Sequence, residues 1–323
     1  MRSSLLAVAA VLPAALFVSC SGEGGETAPA LAKVAFLFDF GTAVAAAPPE
    51  MIALGRDLYH EKRLSTGKNL SCATCHDLSR YGQDGEATSP GSAGERGGRN
   101  SPSSVNAFRQ VAQFWDGRAA DVEAQAQGPV LNPIEHGFAE EADFLAALRS
   151  VDDIPARFAA VFPGQDDPVT LANFGAAVGA FERTLVTKGR WEEFLDGNDD
   201  ALTVDEKKGL ATFVEVGCTT CHNGRAVGGG VFQKLGLVEP FETADKGVGD
   251  LKGDPTQDYV FKVPMLLNVA ETAPYFHDGS IRTLEEAVRI MAKHQLGRLL
   301  TDEQIASIVT FLKALTGEPQ WPS

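Results

Sequence analysis

Two stretches carry chemistry in their spacing: Cys72-Ala73-Thr74-Cys75-His76 and Cys218-Thr219-Thr220-Cys221-His222. In C-x-x-C-H the two thiols form thioethers to the vinyl carbons of a haem, and the next residue presents an imidazole to the iron. A structural zinc site takes four ligands, and these cysteines are too few for the usual zinc arrangements. A thioredoxin-like dithiol needs neither the adjacent histidine nor a second copy. The pattern therefore predicts two covalently bound haem c groups, with His76 and His222 as proximal iron ligands.

The fifth cysteine points to export. Met1 to Cys20 has a short basic start at Arg2, an apolar run from Leu5 to Val18 and small residues before Cys20. The run is short for a membrane span and reads as a signal segment, residues 1–19. Phe17-Val18-Ser19-Cys20 is similar to a lipobox, which makes Cys20 the lipid-bearing first residue of the mature chain. The alternative is an ordinary secretory signal with an incidental cysteine. Either way the expected location is the periplasm, with a lipid anchor as the only membrane attachment on the first reading.

The elements that must position the two motifs read as mostly helical. The chain has 323 residues, 44% of them hydrophobic, with 33 glycines and 17 prolines, so it can bury a sizeable core between many loops. Residues 20–49 read as a tether, interrupted by an apolar patch, Val34 to Phe40, that is either tether or a short docked element. Pro49 opens a helix, and two short helical patterns, split at Pro155, run from 141 to 162. Thr203 with Glu206, Thr283 with Glu286, and Thr301 with Gln304 are capping boxes. Strand-like alternation is scarce. The fold class is mainly α: two cytochrome c-like haem domains with long loops, residues 50–190 and 191–323. The balance of 28 basic and 43 acidic residues, net −15, argues against nucleic acid and for a basic or neutral partner.

Several longer segments resemble one family. They include "LGRDLYHEKRLS", "RNSPSSVNA", "QFWDGRA", "GPVLNPIEHG", "FKVPMLLNVAETAPYFHDGSIRTLEEAV" and "TDEQIASIVTFLKALTG". Together with the haem motifs they are similar to the bacterial dihaem cytochrome c peroxidases, with MauG-type enzymes as near relatives. The resemblance implies reduction of hydrogen peroxide at the N-terminal haem, with electrons from a small cytochrome c or copper protein entering at the C-terminal one. It places Glu135 at the acid/base carboxylate, Gln125 at a distal-pocket glutamine and Trp115 between the haems. Met291 becomes the second ligand of the C-terminal iron. Its face agrees, because Leu284, Ala287, Val288 and Met291 recur at helical spacing. Rivals are His294 and Met265, and Tyr275 if the MauG pattern applies.

The same resemblance implies a calcium ion on the Asn100 side chain and the carbonyls of Thr272 and Pro274, and a possible homodimer. Many family members carry a histidine that caps the peroxidatic iron at the position of Ser92. Here no histidine lies between His76 and Asn100, so the expectation is an uncapped iron in the resting state. His136 is the rival cap; His60 is better suited to the surface or to a propionate contact. The competing functions are a MauG-like oxidation of a protein substrate and plain electron transfer.

Overall fold

A computed structural model describes residues 33–41 and 46–321. The signal segment, Cys20 and most of the segment read as a tether lie outside the described residues. The chain is helix-rich: α1 (Pro49–His60), α2 (Cys72–Cys75), α3 (Val122–Val130), α4 (Glu141–Arg149), α5 (Ile154–Val161), α6 (Leu171–Glu182), α7 (Arg190–Leu195), α8 (Val204–Val216), α9 (Val248–Lys252), α10 (Leu284–Leu296) and α11 (Asp302–Lys313). Strands among the described residues are short: β1 (Thr187–Lys188) pairs antiparallel with β4 (Glu318–Pro319), and β2 (Phe232–Lys234) with β3 (Val260–Lys262). No described helix is long and apolar enough to cross a membrane.

Caps place the helices where the sequence predicts. Thr203 and Glu206 form the complete box at the start of α8, which stops at Gly217 in the left-handed conformation. Thr301 and Gln304 do the same for α11. Thr283 caps α10 through its hydroxyl, which accepts from the Glu286 amide at 3.3 Å. The return bond from Glu286 that a full box needs is not made. Pro155 sits in the first turn of α5, where a missing N–H is harmless, not between two helices.

The described residues form two hydrophobic clusters. One joins α1, α3, α4, α5 and α6 around Leu54, Leu58, Phe144, Phe158 and Phe174. The other joins α7, α8, α10 and α11 around Trp191, Leu210, Phe213, Ile308 and Phe311. Each is crossed by a helix pair too close for an ordinary side chain. A Cβ on Gly55 would overlap the Ala177 carbonyl oxygen where α1 meets α6, and one on Gly209 would overlap the Ser307 carbonyl oxygen where α8 meets α11.

The first and last described segments pack on opposite halves. Phe36 is fully buried in the second cluster, edge-on to Trp191 at 5.1 Å between ring centres. The amides of Gly224 and Arg225 each donate at 2.8 Å to the carbonyls of Ala35 and Phe38, and Lys33 pairs with Asp199. Residues 33–41 are thus a docked element, not part of a free tether. Trp321, at the other terminus, packs on the first cluster.

A local frame occurs twice. Asn106 adopts positive φ before a 3-10 turn. Phe114 and Gly117 also have positive φ, Gln113 bridges Ala119, and Asp121 caps α3. Asn268, Phe276, Gly279, the Tyr275–Ile281 bridge and Thr283 before α10 repeat every feature at the same spacing. The frames meet at Thr187, whose hydroxyl accepts from Asn106 Nδ2 at 2.9 Å and Asn268 Nδ2 at 3.1 Å.

Candidate functional site

Each C-x-x-C-H turn opens into its own cavity. Cys72, Cys75 and His76 line one of about 360 Å³, together with Trp115, Gln125, Glu135, His136 and Glu182. Cys218, Cys221 and His222 line a more apolar one of about 260 Å³, together with Trp115, Met265, Tyr275, Met291 and Lys262.

Both histidines are held the same way. His76 Nδ1 lies 3.3 Å from the Gly82 carbonyl and 3.2 Å from Ser101 Oγ. His222 Nδ1 lies 3.3 Å from the Val227 carbonyl. A carbonyl only accepts, so the ring proton sits on Nδ1 and Nε2 keeps the lone pair that binds iron. Burial lowers the pKa of both rings, that of His222 to about 4, and keeps them neutral. Burial also raises all four thiols, Cys75 to about 11 and Cys218 to about 12. Thiolate chemistry, whether zinc binding or dithiol exchange, wants the opposite shift. Two neutral thiols beside an imidazole with a free Nε2, on a cavity wall, fit a covalently attached haem at each motif.

On α3, Val122, Gln125, Ala126 and Pro129 line the first cavity at helical spacing. Glu135 reaches the same space from the loop after α3. Its Oε1 accepts from Asn132 Nδ2 at 2.7 Å, and its amide donates to the Asn132 carbonyl at 3.0 Å. Burial raises its pKa; the Arg118 charge and the Asn132 bond oppose the shift. Asn132, which local sequence gave no reason to single out, therefore aims the carboxylate.

Ser92 does not line this cavity. Its Oγ accepts from the Gly67 amide at 2.7 Å and donates to Asn69 Oδ1 at 3.0 Å, and its own amide donates to the Glu135 carbonyl at 2.8 Å. Ser92 holds the Glu135 turn in place. His136 does reach the cavity wall, with Nδ1 2.6 Å from the Leu64 carbonyl. Among the described residues it is the one imidazole besides His76 on that wall. His60 is not on it.

Trp115 lies on the walls of both cavities. Its Nε1 donates to the Asn100 carbonyl at 2.9 Å, and its carbonyl accepts from the Lys262 amide at 2.8 Å. Arg99 braces this junction by bonding Asp116 at 2.6 Å and both oxygens of Asp245 at 2.6 and 2.8 Å.

In the second cavity, α10 presents Leu284, Ala287, Val288 and Met291, the predicted face. Met265 also lines it. The neighbouring Pro264 carbonyl crowds Gly228, which lies against His222 Nδ1, so Met265 follows a segment packed at the His222 end. His294 is turned away: its Nδ1 meets the Glu239 and Pro240 carbonyls at 3.1 and 2.9 Å. The Tyr275 hydroxyl donates to the Val269 carbonyl at 3.1 Å, and burial pushes its pKa up to about 12, which disfavours a tyrosinate.

Asn100, Thr272 and Pro274 come together on one wall. Asn100 Nδ2 donates to the Glu86 carbonyl at 2.9 Å, which directs its Oδ1 elsewhere. Among the described residues no hydrogen bond reaches the Thr272 or Pro274 carbonyl oxygens. No cluster of three or more acidic, histidine or cysteine side chains that could hold a metal occurs among them either.

The fold and the paired turns define a helix-rich protein built to carry two c-type haems. Residues 49–200 match the family model described as di-haem cytochrome c peroxidase. The chain is 42% identical over 276 residues to cytochrome c551 peroxidase of Nitrosomonas europaea, covering 83% of this chain and 80% of that one. It is 40% identical over 272 residues to cytochrome c551 peroxidase of Pseudomonas aeruginosa, with 82% and 78% covered. A solved MauG-like protein associated with microbial copper homeostasis superposes with a TM-score of 0.76 at 29% identity, covering 88% of this chain and 94% of that one. The chain belongs to the di-haem cytochrome c peroxidase family.

Proposed function

We propose that this protein reduces hydrogen peroxide to two waters, using two protons and two electrons drawn one at a time from an external small cytochrome c or copper protein. The observation that carries this reading is Glu135, a half-buried carboxyl aimed by Asn132 into the cavity that holds Cys72, Cys75 and His76. The haem on those cysteines supplies the redox-active iron at which peroxide is reduced. Glu135 takes a proton from one peroxide oxygen and delivers it to the other. Its raised pKa suits a group that must both accept and give a proton near neutral pH. Gln125, on the same wall, orients the oxidant. The ring of Trp115, common to both walls, shortens the path between the two sites.

The division of labour follows the two clusters: an N-terminal peroxidatic domain, residues 50–190, and a C-terminal electron-entry domain, residues 191–323. Met291 would supply a thioether ligand to the iron of the C-terminal haem, a reading supported by its inward face and by the engagement of His294 and Tyr275 elsewhere. A thioether there raises the potential, as suits an electron-accepting site. The iron of the N-terminal haem would have no protein cap from the Ser92 position, because Ser92 is bonded behind the wall; His136, with its Nδ1 on the Leu64 carbonyl, is the rival cap. A calcium ion would be held by Asn100 Oδ1 and the carbonyls of Thr272 and Pro274, oxygen donors that suit a hard cation. The mature chain begins at a lipidated Cys20 and works in the periplasm.

Steady-state oxidation of reduced cytochrome c by peroxide tests the activity; absence of turnover in the protein with both haems attached defeats it. Electron paramagnetic resonance of the as-isolated diferric protein tests the distal side. The expectation is one high-spin and one low-spin signal; two low-spin signals would show a protein cap.

A further inference from the structure

Among the described residues, Lys262 is a buried cation that no carboxylate balances. It is 5% exposed, at the end of β3, and it lines the cavity of Cys218, Cys221 and His222, as does its partner Gln110. Its Nζ donates to Gln110 Oε1, a neutral amide itself 7% exposed. An ammonium has three donors, and this bond uses one. Among the described residues no aspartate or glutamate lines the cavity. The other wall residues near it, Phe114, Phe261 and Val263, are apolar. The contrast with the arginines of the first cavity is direct: Arg99 and Arg118 both line it, and both are bonded to the Asp116 carboxylate.

Burying an unpaired ammonium is costly, and proteins either pair the charge or lose the proton. Burial alone depresses this lysine to about 7, with no carboxylate acting to restore it. The missing anion must come from what fills the cavity. A c-type haem carries two propionate carboxylates and is attached to this cavity by its two cysteines.

We infer that Lys262, backed by Gln110, is the anchor for a propionate of the C-terminal haem, and that its positive charge sets that haem's potential higher than the thioether ligand alone would. The inference rests on the reading of this cavity as a haem site. It also gives the anchor a place: the Lys262 amide bonds the Trp115 carbonyl, so the propionate is held on the wall shared with the residue between the two sites. A cation beside a haem favours the ferrous form, and neutralising a propionate acts in the same direction.

The test is a spectroelectrochemical titration of the full chain with both haems attached, their number counted as pyridine haemochromes. In Lys262→Met the midpoint potential of the C-terminal haem shifts downward, with a much smaller shift at the N-terminal haem; Lys262→Arg restores it toward the wild-type value. Gln110→Glu keeps the lysine but gives it a carboxylate of its own, and the C-terminal potential falls again. This second variant covers the case in which Lys262→Met fails to mature. Two attached haems with an unchanged C-terminal potential in either Lys262→Met or Gln110→Glu overturn the anchor. A wild-type chain that attaches a single haem overturns the underlying reading of the cavity instead.

Discussion

The two halves begin from the same parts and end with different cavities. Each has a C-x-x-C-H turn, a histidine whose Nδ1 faces a backbone carbonyl, and a helix crossing that only glycine permits. Each also has the frame running from Asn106 or Asn268 to the helix that follows. The eighth residue of that helix is Pro129 in α3 and Met291 in α10. One frame therefore offers its cavity a ring that cannot bind metal, and the other offers a thioether. Beyond it the N-terminal wall carries Glu135, Gln125 and Glu182, while the C-terminal wall, among the described residues, carries no carboxylate and one lysine. The attachment chemistry is common to both; the opposite wall decides what each site can do.

That contrast can be broken in order of expected effect. Glu135→Gln removes the proton carrier and keeps the shape. Peroxide turnover falls by about 10²–10⁴-fold, read by stopped-flow, while the C-terminal potential stays near wild type. Pro129→Met transplants the Met291 arrangement into the other half. The N-terminal signal in electron paramagnetic resonance changes from high to low spin and peroxide turnover drops by about tenfold or more. Met291→Leu does the converse, lowering the C-terminal potential. An unchanged N-terminal signal in Pro129→Met would mean that the two frames do not aim their helices alike.

The glycine crossings give a stability comparison. Gly55→Ala and Gly209→Ala each force a methyl onto a backbone oxygen and cost about 1–3 kcal/mol, measured by thermal melts with circular dichroism. Similar losses support equivalent crossings; a loss at one site alone shows that only one half depends on close approach.

The smallest effect is a pH dependence confined to the N-terminal half. Burial pushes the Glu182 carboxyl up to about 8, with the Glu123 charge adding to the shift, whereas an unfolded glutamate titrates near ~4.3. The folded chain keeps a proton that the unfolded chain releases. This contribution to stability is present in full below the unfolded value and is lost as pH rises toward about 8. Glu182→Gln flattens the melting temperature across that window; an unchanged slope between pH 5 and 8 would assign the dependence to other groups.

How much of this was legible in the sequence follows from the range of each interaction. The helix starts at Thr203 and Thr301 depend on bonds three residues apart, and the inward face of α10 on its own periodicity, so both can be read along the chain. The long segment matches pointed to Glu135, Gln125 and Trp115 because their neighbours are distinctive. Asn132, Ser92 and Lys262 were not readable in this way. Asn132 matters only because Glu135 folds back over it, and Ser92 because Gly67, Asn69 and the Glu135 backbone surround it. Val34 to Phe40 left two readings open, because an apolar patch does not name the surface that covers it.

By itself the sequence determined where haem can be attached, which residues begin and end the main helices, and that no histidine follows His76 before Asn100. Tertiary structure alone decided that Ser92 is bonded away from the cavity wall, that Phe36 packs into the far half, and that Lys262 is buried with no carboxylate beside it among the described residues. The physical reason is that attachment and capping act between near neighbours on the chain. Cavity polarity and charge balance arise where segments more than a hundred residues apart are packed together, as Lys262 is with Gln110.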